Sequence, residues 1–135
     1  MAGARDPVRL ALRSARGSAA RAAGRRREIL AALWLMLKGY RIIGFRLRTP
    51  DGEVDLLAQR GQVLAVVEVK SRATLAEALE AVTAAQRDRL RRAGRSIAAR
   101  RPSLKRMNVR LDLIAIAPLS WPRHVTDAWR DDAVH

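Results

Sequence analysis

The chain contains no cysteine. Disulfides and thiolate metal sites are therefore excluded, and the absence fits a reducing compartment. Aromatics are scarce: Trp34, Tyr40, Phe45, Trp121 and Trp129 make up 4% of 135 residues. That is too few for the base-stacking platform that single-strand binders use. Histidine is limited to His124 and His135. Both lie far from the acidic clusters in sequence and read as structural or tail residues, not metal ligands. Long apolar runs are missing too. The densest, ILAALWLML at 29–37, falls well short of the ~20 apolar residues that a bilayer span requires. Lys38, Gly39 and Tyr40 follow it, where a signal peptide would place a small-residue cleavage site. A cytoplasmic protein with no membrane partner is the expectation.

Acidic charge is also in short supply: 13 Asp and Glu stand against 27 Lys and Arg, a formal net charge of +14. Lys38, Lys70 and Lys105 are the only lysines, so the excess is carried by arginine. Arginine with abundant alanine and glycine is also what a GC-rich genome writes by codon bias. The distribution says more than the total. Residues 1–27 carry a net +7 and residues 86–110 a net +9, whereas the middle of the chain is nearly balanced. Two basic blocks are what a polyanion-binding surface would have, and nucleic acid is the first partner to consider.

With 49% hydrophobic residues the chain can bury the core of one domain, and 135 residues hardly allow two. Residues 1 to about 20 show no period that would bury a face. Their composition fits a disordered basic arm or an organellar transit peptide, and we take it as an arm before a single domain over 21–135. A helix is expected over about 19–38, buried along Ile29, Leu33, Met36 and Leu37 and ended by Gly39. Strands follow at 40–48, 53–59 and 62–70, with Thr49-Pro50-Asp51-Gly52 as a turn and Arg60-Gly61 as a tight hairpin loop. A helical segment spans about 75–100. Thr74-x-x-Glu77 and Thr83-x-x-Gln86 both read as capping boxes, which suggests a break near Thr83. Pro102 ends it, and 107–117 forms a fourth strand. The order describes an α/β domain with a mixed sheet flanked by helices.

The stretch GEVDLLAQRGQVLAVVEVKSR, 52–72, holds the chemistry. Side chains alternate along a strand, so Glu53 and Asp55 share a face, and so do Glu68 and Lys70. A loop at Arg60-Gly61 would set Glu53 opposite Glu68; a four-residue loop would set Asp55 there. Either register gathers three carboxylates and one lysine in one patch. Crowded carboxylates repel and raise one another's pKa, and a single lysine offsets only one of them. A divalent cation would resolve the conflict; carboxylate oxygens suit Mg²⁺, which keeps waters and leaves room for a phosphate. On the following helix Arg87, Arg89, Arg91, Arg92 and Arg95 are the candidate phosphate contacts, and Arg87, Arg91 and Arg95 share a face that could follow a backbone. Asp112, mid-strand among apolar neighbours, would either pair with a helix arginine or border the acidic patch.

Asp55 followed by Glu68-Val69-Lys70 resembles the D…(D/E)-x-K signature of the PD-(D/E)XK nuclease superfamily. The longer string GEVDLLA…VVEVKSR is similar to the YraN family of small bacterial proteins, as are Gly24-Arg25, Glu28 and Gly39-Tyr40 before it. That family in turn resembles archaeal Holliday-junction resolvases. The resemblance implies a restriction-endonuclease-like core. It implies Asp55, Glu68 and the Val69 backbone carbonyl as ligands of Mg²⁺ or Mn²⁺, Lys70 as the catalytic lysine, and Glu28 reaching in from the first helix. Gln86 falls where many superfamily members place an accessory Gln or Lys, and Glu53 belongs to the family string without a clear role. The implied activity is hydrolysis of phosphodiester bonds in DNA, branched or otherwise structured, by a protein that can act as a homodimer. The alternative is a nucleic-acid-binding protein that keeps the fold without turnover.

Overall fold

The computed structural model describes residues 6–133. Helix α1 spans Pro7–Leu37. Its start is set by Asp6, whose side chain accepts the Val8 N–H at 3.0 Å, and by Pro7, whose missing N–H goes unused in a first turn. The expected start near residue 19, with a disordered arm before it, is corrected over residues 7–20. This stretch continues the helix into solvent, with nearly every residue exposed. Alanine, arginine and leucine are strong helix formers, and adding turns to an anchored helix avoids the cost of nucleation. Residues 1–5 of the arm, and His135, lie outside the described residues.

The inward face of α1 is also corrected. Ala31, Ala32 and Leu35 are buried, whereas Ile29, Leu33, Met36 and Leu37 are exposed, Leu37 at 81%. The run is apolar on all sides, so periodicity could not choose a face. The two alanines let the helix lie close to the sheet, and the larger side chains are left outside. The helix ends as expected: Gly39 takes φ +90°, and the Tyr40 N–H returns to the Leu35 carbonyl.

Five strands make one sheet in chain order: β1 Arg41–Thr49, β2 Gly52–Arg60, β3 Val63–Ser71, β4 Asn108–Ile116 and β5 Arg123–Val125. Neighbours are antiparallel except β3 and β4, which are parallel and joined through α2 (Leu75–Glu80) and α3 (Ala84–Arg100). Thr74 and Thr83 cap these two helices, so the break is where the two motifs put it. Helix α3 packs on one face, with Leu90, Ile97 and Ala98 against Leu57, Leu64, Val66 and Leu111. Helix α1 covers the other, against Leu56, Ala65, Val67, Ile114 and Ile116. The expected α/β fold, a mixed sheet flanked by helices, is the observed one and accords with a restriction-endonuclease-like core. Strand β5 was not anticipated; three residues carry too little pattern to be read.

Asp112 has neither of its two expected roles. It is fully buried on the α1 face of β4. It accepts two bonds from Arg110 on its own strand, at 2.8 Å each, one from the Asp127 N–H and one from His124 Nε2. On the other side of the His124 ring, Nδ1 lies 2.7 Å from Lys38 Nζ. An ammonium can only donate, so Nδ1 accepts and Nε2 carries the proton toward Asp112. Burial pushes the Asp112 carboxyl up, but His124, Arg110 and the Asp127 amide together hold it below the usual carboxylate range. This network ties the end of α1 to β4 and β5, so His124 is structural, as its isolation in the sequence suggested.

Candidate active site

The site lies where β2 and β3 separate. Their pairing runs from Arg60↔Val63 to Leu56↔Val67 and then stops. Beyond that point β2 stays bonded to β1 as far as Gly52, and β3 stays bonded to β4 as far as Ser71. Asp55 and Glu68 are the first residues past the split. The hairpin turn is Gly61-Gln62, with Gly61 at φ +57°, one residue later than the tight loop expected. Its register, carried on, sets Asp55 opposite Glu68, the pairing expected of a four-residue loop, although this turn has only two residues. The Asp55 Oδ2 accepts the Val69 N–H at 3.1 Å and so bridges the gap between the strands.

Helix α3 roofs this gap. A cavity of about 270 Å³ is lined by Asp51 from the β1–β2 turn, by Glu53, Asp55 and Glu68 from the sheet, and by Gln86 and Arg89 from the helix. The Glu68 side chain is only 14% exposed, and Lys70 Nζ lies 3.3 Å from its Oε1. Burial, and then the charge of Asp55, push the Glu68 carboxyl up to about 7, although Lys70 opposes the shift. Lys70 thus offsets only part of the charge that the two acids would carry if both were ionised.

This donor set fits a divalent cation. Two carboxylates in a split between strands, one of them reluctant to ionise, gain from a bound cation whose charge reverses that reluctance. Among the described residues no three His, Cys, Asp or Glu side chains stand close enough together to hold a metal ion. Asp55 and Glu68 would therefore be joined by waters, a backbone carbonyl or a substrate oxygen, as Mg²⁺ prefers.

The remaining expected residues divide. Glu53 lines the rim of the cavity, half-exposed and 4.0 Å from Arg48. Gln86 lines it as well, while its Oε1 accepts the Thr83 N–H in a complete capping box. Glu28 lies elsewhere. Its carboxylate is held by Arg46 at 2.9 Å in a separate recess with Arg25, Ile29 and Phe45. Arg87 and Arg91 are corrected as phosphate contacts. Both bind Asp132, Arg91 also donates to the Trp129 carbonyl, and each is mostly buried by the C-terminal segment. Arg87, and then Arg91, hold the Asp132 carboxyl below its usual range. Arg95 is exposed and does not line the cavity. Arg89, also among the arginines expected to contact phosphate, is the one that lines the cavity. Its spacing of three from Gln86 puts both on one helix edge.

A family model described as "Uncharacterised protein family UPF0102" matches residues 27–116. This chain belongs to the UPF0102 family. A UPF0102 protein of Caulobacter sp. (strain K31) is 68% identical over 123 residues, covering 91% of this chain and 88% of its own. One from Caulobacter vibrioides (strain NA1000 / CB15N) is 64% identical over 118 residues, covering 87% and 94%. One from Parvibaculum lavamentivorans is 47% identical over 130 residues, covering 92% and 98%. UPF0102 is the YraN-like family, of PD-(D/E)XK nuclease type, and Asp55…Glu68-Val69-Lys70 carries that signature here. The span matched by the UPF0102 model includes every acidic residue of the strand split, Lys70, Gln86 and Arg89. It leaves out the exposed N-terminal half of α1.

Proposed function

We propose that this UPF0102 protein is a metal-dependent nuclease that hydrolyses phosphodiester bonds in DNA, on branched or otherwise structured substrates. One observation carries the reading: Asp55, Glu68 and Lys70 meet in a split between two strands, under a helix that brings an arginine to the same cavity. Asp55 and Glu68, with a Val69 backbone oxygen, would hold Mg²⁺ or Mn²⁺. A divalent cation there supplies Lewis-acid polarisation of a phosphoryl oxygen and a lowered pKa for a bound water. Asp55 is oriented for this by the Val69 N–H, which fixes one of its oxygens. Glu68 must be ionised to serve, and cation binding would drive its proton off. Lys70, held 3.3 Å from Glu68, would orient the attacking water and offset charge on the scissile phosphate. The test is whether DNA is cut only with a divalent cation present, and no longer by Asp55→Ala.

A second reading, a DNA-binding protein without turnover, is favoured by the place of Glu28. Its carboxylate is neutralised by Arg46 and stands apart from the cavity, so the pocket has one acid fewer than the resolvase-like pattern implies. Metal binding without cleavage would be its mark.

No helix among the described residues is long and apolar enough to cross a membrane. We propose a cytoplasmic protein that acts as a homodimer, the second copy covering the exposed apolar side of α1 at Ile29, Leu33, Met36 and Leu37. Sedimentation velocity should then show a dimer that Leu33→Asp dissociates. A wild type that stays monomeric at 100 µM would rule the dimer out.

A further inference from the structure

We propose that Arg89 holds a backbone phosphate of the DNA at the Asp55–Glu68 cavity, and that the edge of α3 through Arg92 to Arg100 carries that strand away from the site. The inference rests on the nuclease-like reading of the cavity and assigns its substrate contact. The structure sorts the basic residues of 86–110 by what they already bind. Arg87 and Arg91 are tied to Asp132, and Arg110 to Asp112. These three are spent within the fold. Arg89 is the only cation lining the acidic cavity, is exposed, and has no acidic partner among the described residues. A guanidinium lining the cavity whose Asp55 and Glu68 would hold a metal is where a phosphate would complete the charge balance. Its planar fork can take two phosphate oxygens at once.

Helix geometry extends the contact. Residues 89, 92, 96 and 100 recur at three- and four-residue steps and so form one row along the helix. Arg92 is half-exposed and rests on Asp51 at the cavity rim, 3.5 Å away, and Arg100 is exposed. From Arg89 to Arg100 the row rises roughly 16 Å, or about five nucleotide steps of one strand. Arg95 points to a different side of α3 and lies off this row. The phosphate track is therefore one helix edge away from the 87–91–95 face that the sequence suggested.

Binding can be tested without cleavage. Fluorescence anisotropy would follow a labelled four-way DNA junction, and the duplex of one of its arms, in EDTA at several salt concentrations. Arg89→Ala should weaken both about tenfold at 0.1 M salt and flatten the slope of log K against log salt by about one, as expected for one lost phosphate contact. Arg100→Ala should lose less, and Arg95→Ala less than twofold. Calorimetric Mn²⁺ binding and thermal stability of Arg89→Ala should match the wild type, which would place the loss at the DNA contact. An Arg89→Ala variant that binds like the wild type, an equal loss in Arg95→Ala, or a wild type that does not bind DNA would each overturn the inference. Binding that depends on Arg89 without cleavage under any metal would leave the inference standing and remove the enzyme.

Discussion

Glu68 is the residue whose environment makes the clearest demand. Burial, and then the charge of Asp55, push its carboxyl from the ordinary 4.5 up to about 7 in the folded chain. Between those values the folded state holds a proton that the unfolded state has released. Stability therefore falls as pH rises through this window, by up to about 3 kcal/mol for a shift of this size. Glu68→Gln removes the titration. Denaturant melts should show the variant close to wild type at pH 5 and progressively more stable than it toward pH 8. A difference that stays constant across that range would mean that Glu68 is not held in this way. The chemistry at this residue was legible in the sequence, because strand alternation alone puts Glu68 and Lys70 on one face. Which acid faces Glu68 was not. That choice rested on whether the loop is Arg60-Gly61 or four residues long, and the observed two-residue turn Gly61-Gln62 gives the second pairing because it starts one residue later. The role of Asp112 was hidden for another reason: although Arg110 stands two residues away on the same strand, His124 and the Asp127 amide come from segments that only the folded sheet brings to it.

At the scale of elements, α3 governs the shape of the cavity. It can lie over the split because Gly94 lets its backbone approach β3; an added Cβ there would stand 2.4 Å from Val66 Cγ2. Gly94→Ala should cost about 1–3 kcal/mol through overpacking, despite the better helix propensity of alanine. The double variant with Val66→Ala should recover part of the loss, and thermal melts of the two would report it. A neutral Gly94→Ala would mean that the helix has slack, and the cavity would then be less firmly set. The start of α3 was readable from Thr83-x-x-Gln86 because a capping box is local chemistry. The faces of α1 and α3 were not so readable. In α1 the run 29–37 is apolar all round. In α3 arginines stand on three sides, and only the docking of Asp132 shows which of them are occupied. Local signals located the elements; long-range partners decided which side of each is free.

For the molecule as a whole, a net charge of +14 is tolerable if much of it faces a polyanion. The fold keeps several arginines for its own acids and leaves others exposed: those of the N-terminal half of α1, and those of the α3 edge that starts at the cavity. Acids in a strand split, a lysine beside them and a basic edge leading away are the features on which the proposed nuclease reading rests. The most direct measurement is cleavage by purified protein of four-way junction, flap, duplex and single-stranded DNA, with Mg²⁺, Mn²⁺ or EDTA, beside an Asp55→Ala variant prepared identically. Cutting that requires the metal, favours a branched substrate and is lost in Asp55→Ala is the predicted result. A wild type that binds these DNAs and cuts none of them, or an Asp55→Ala variant that cuts equally well, would contradict it.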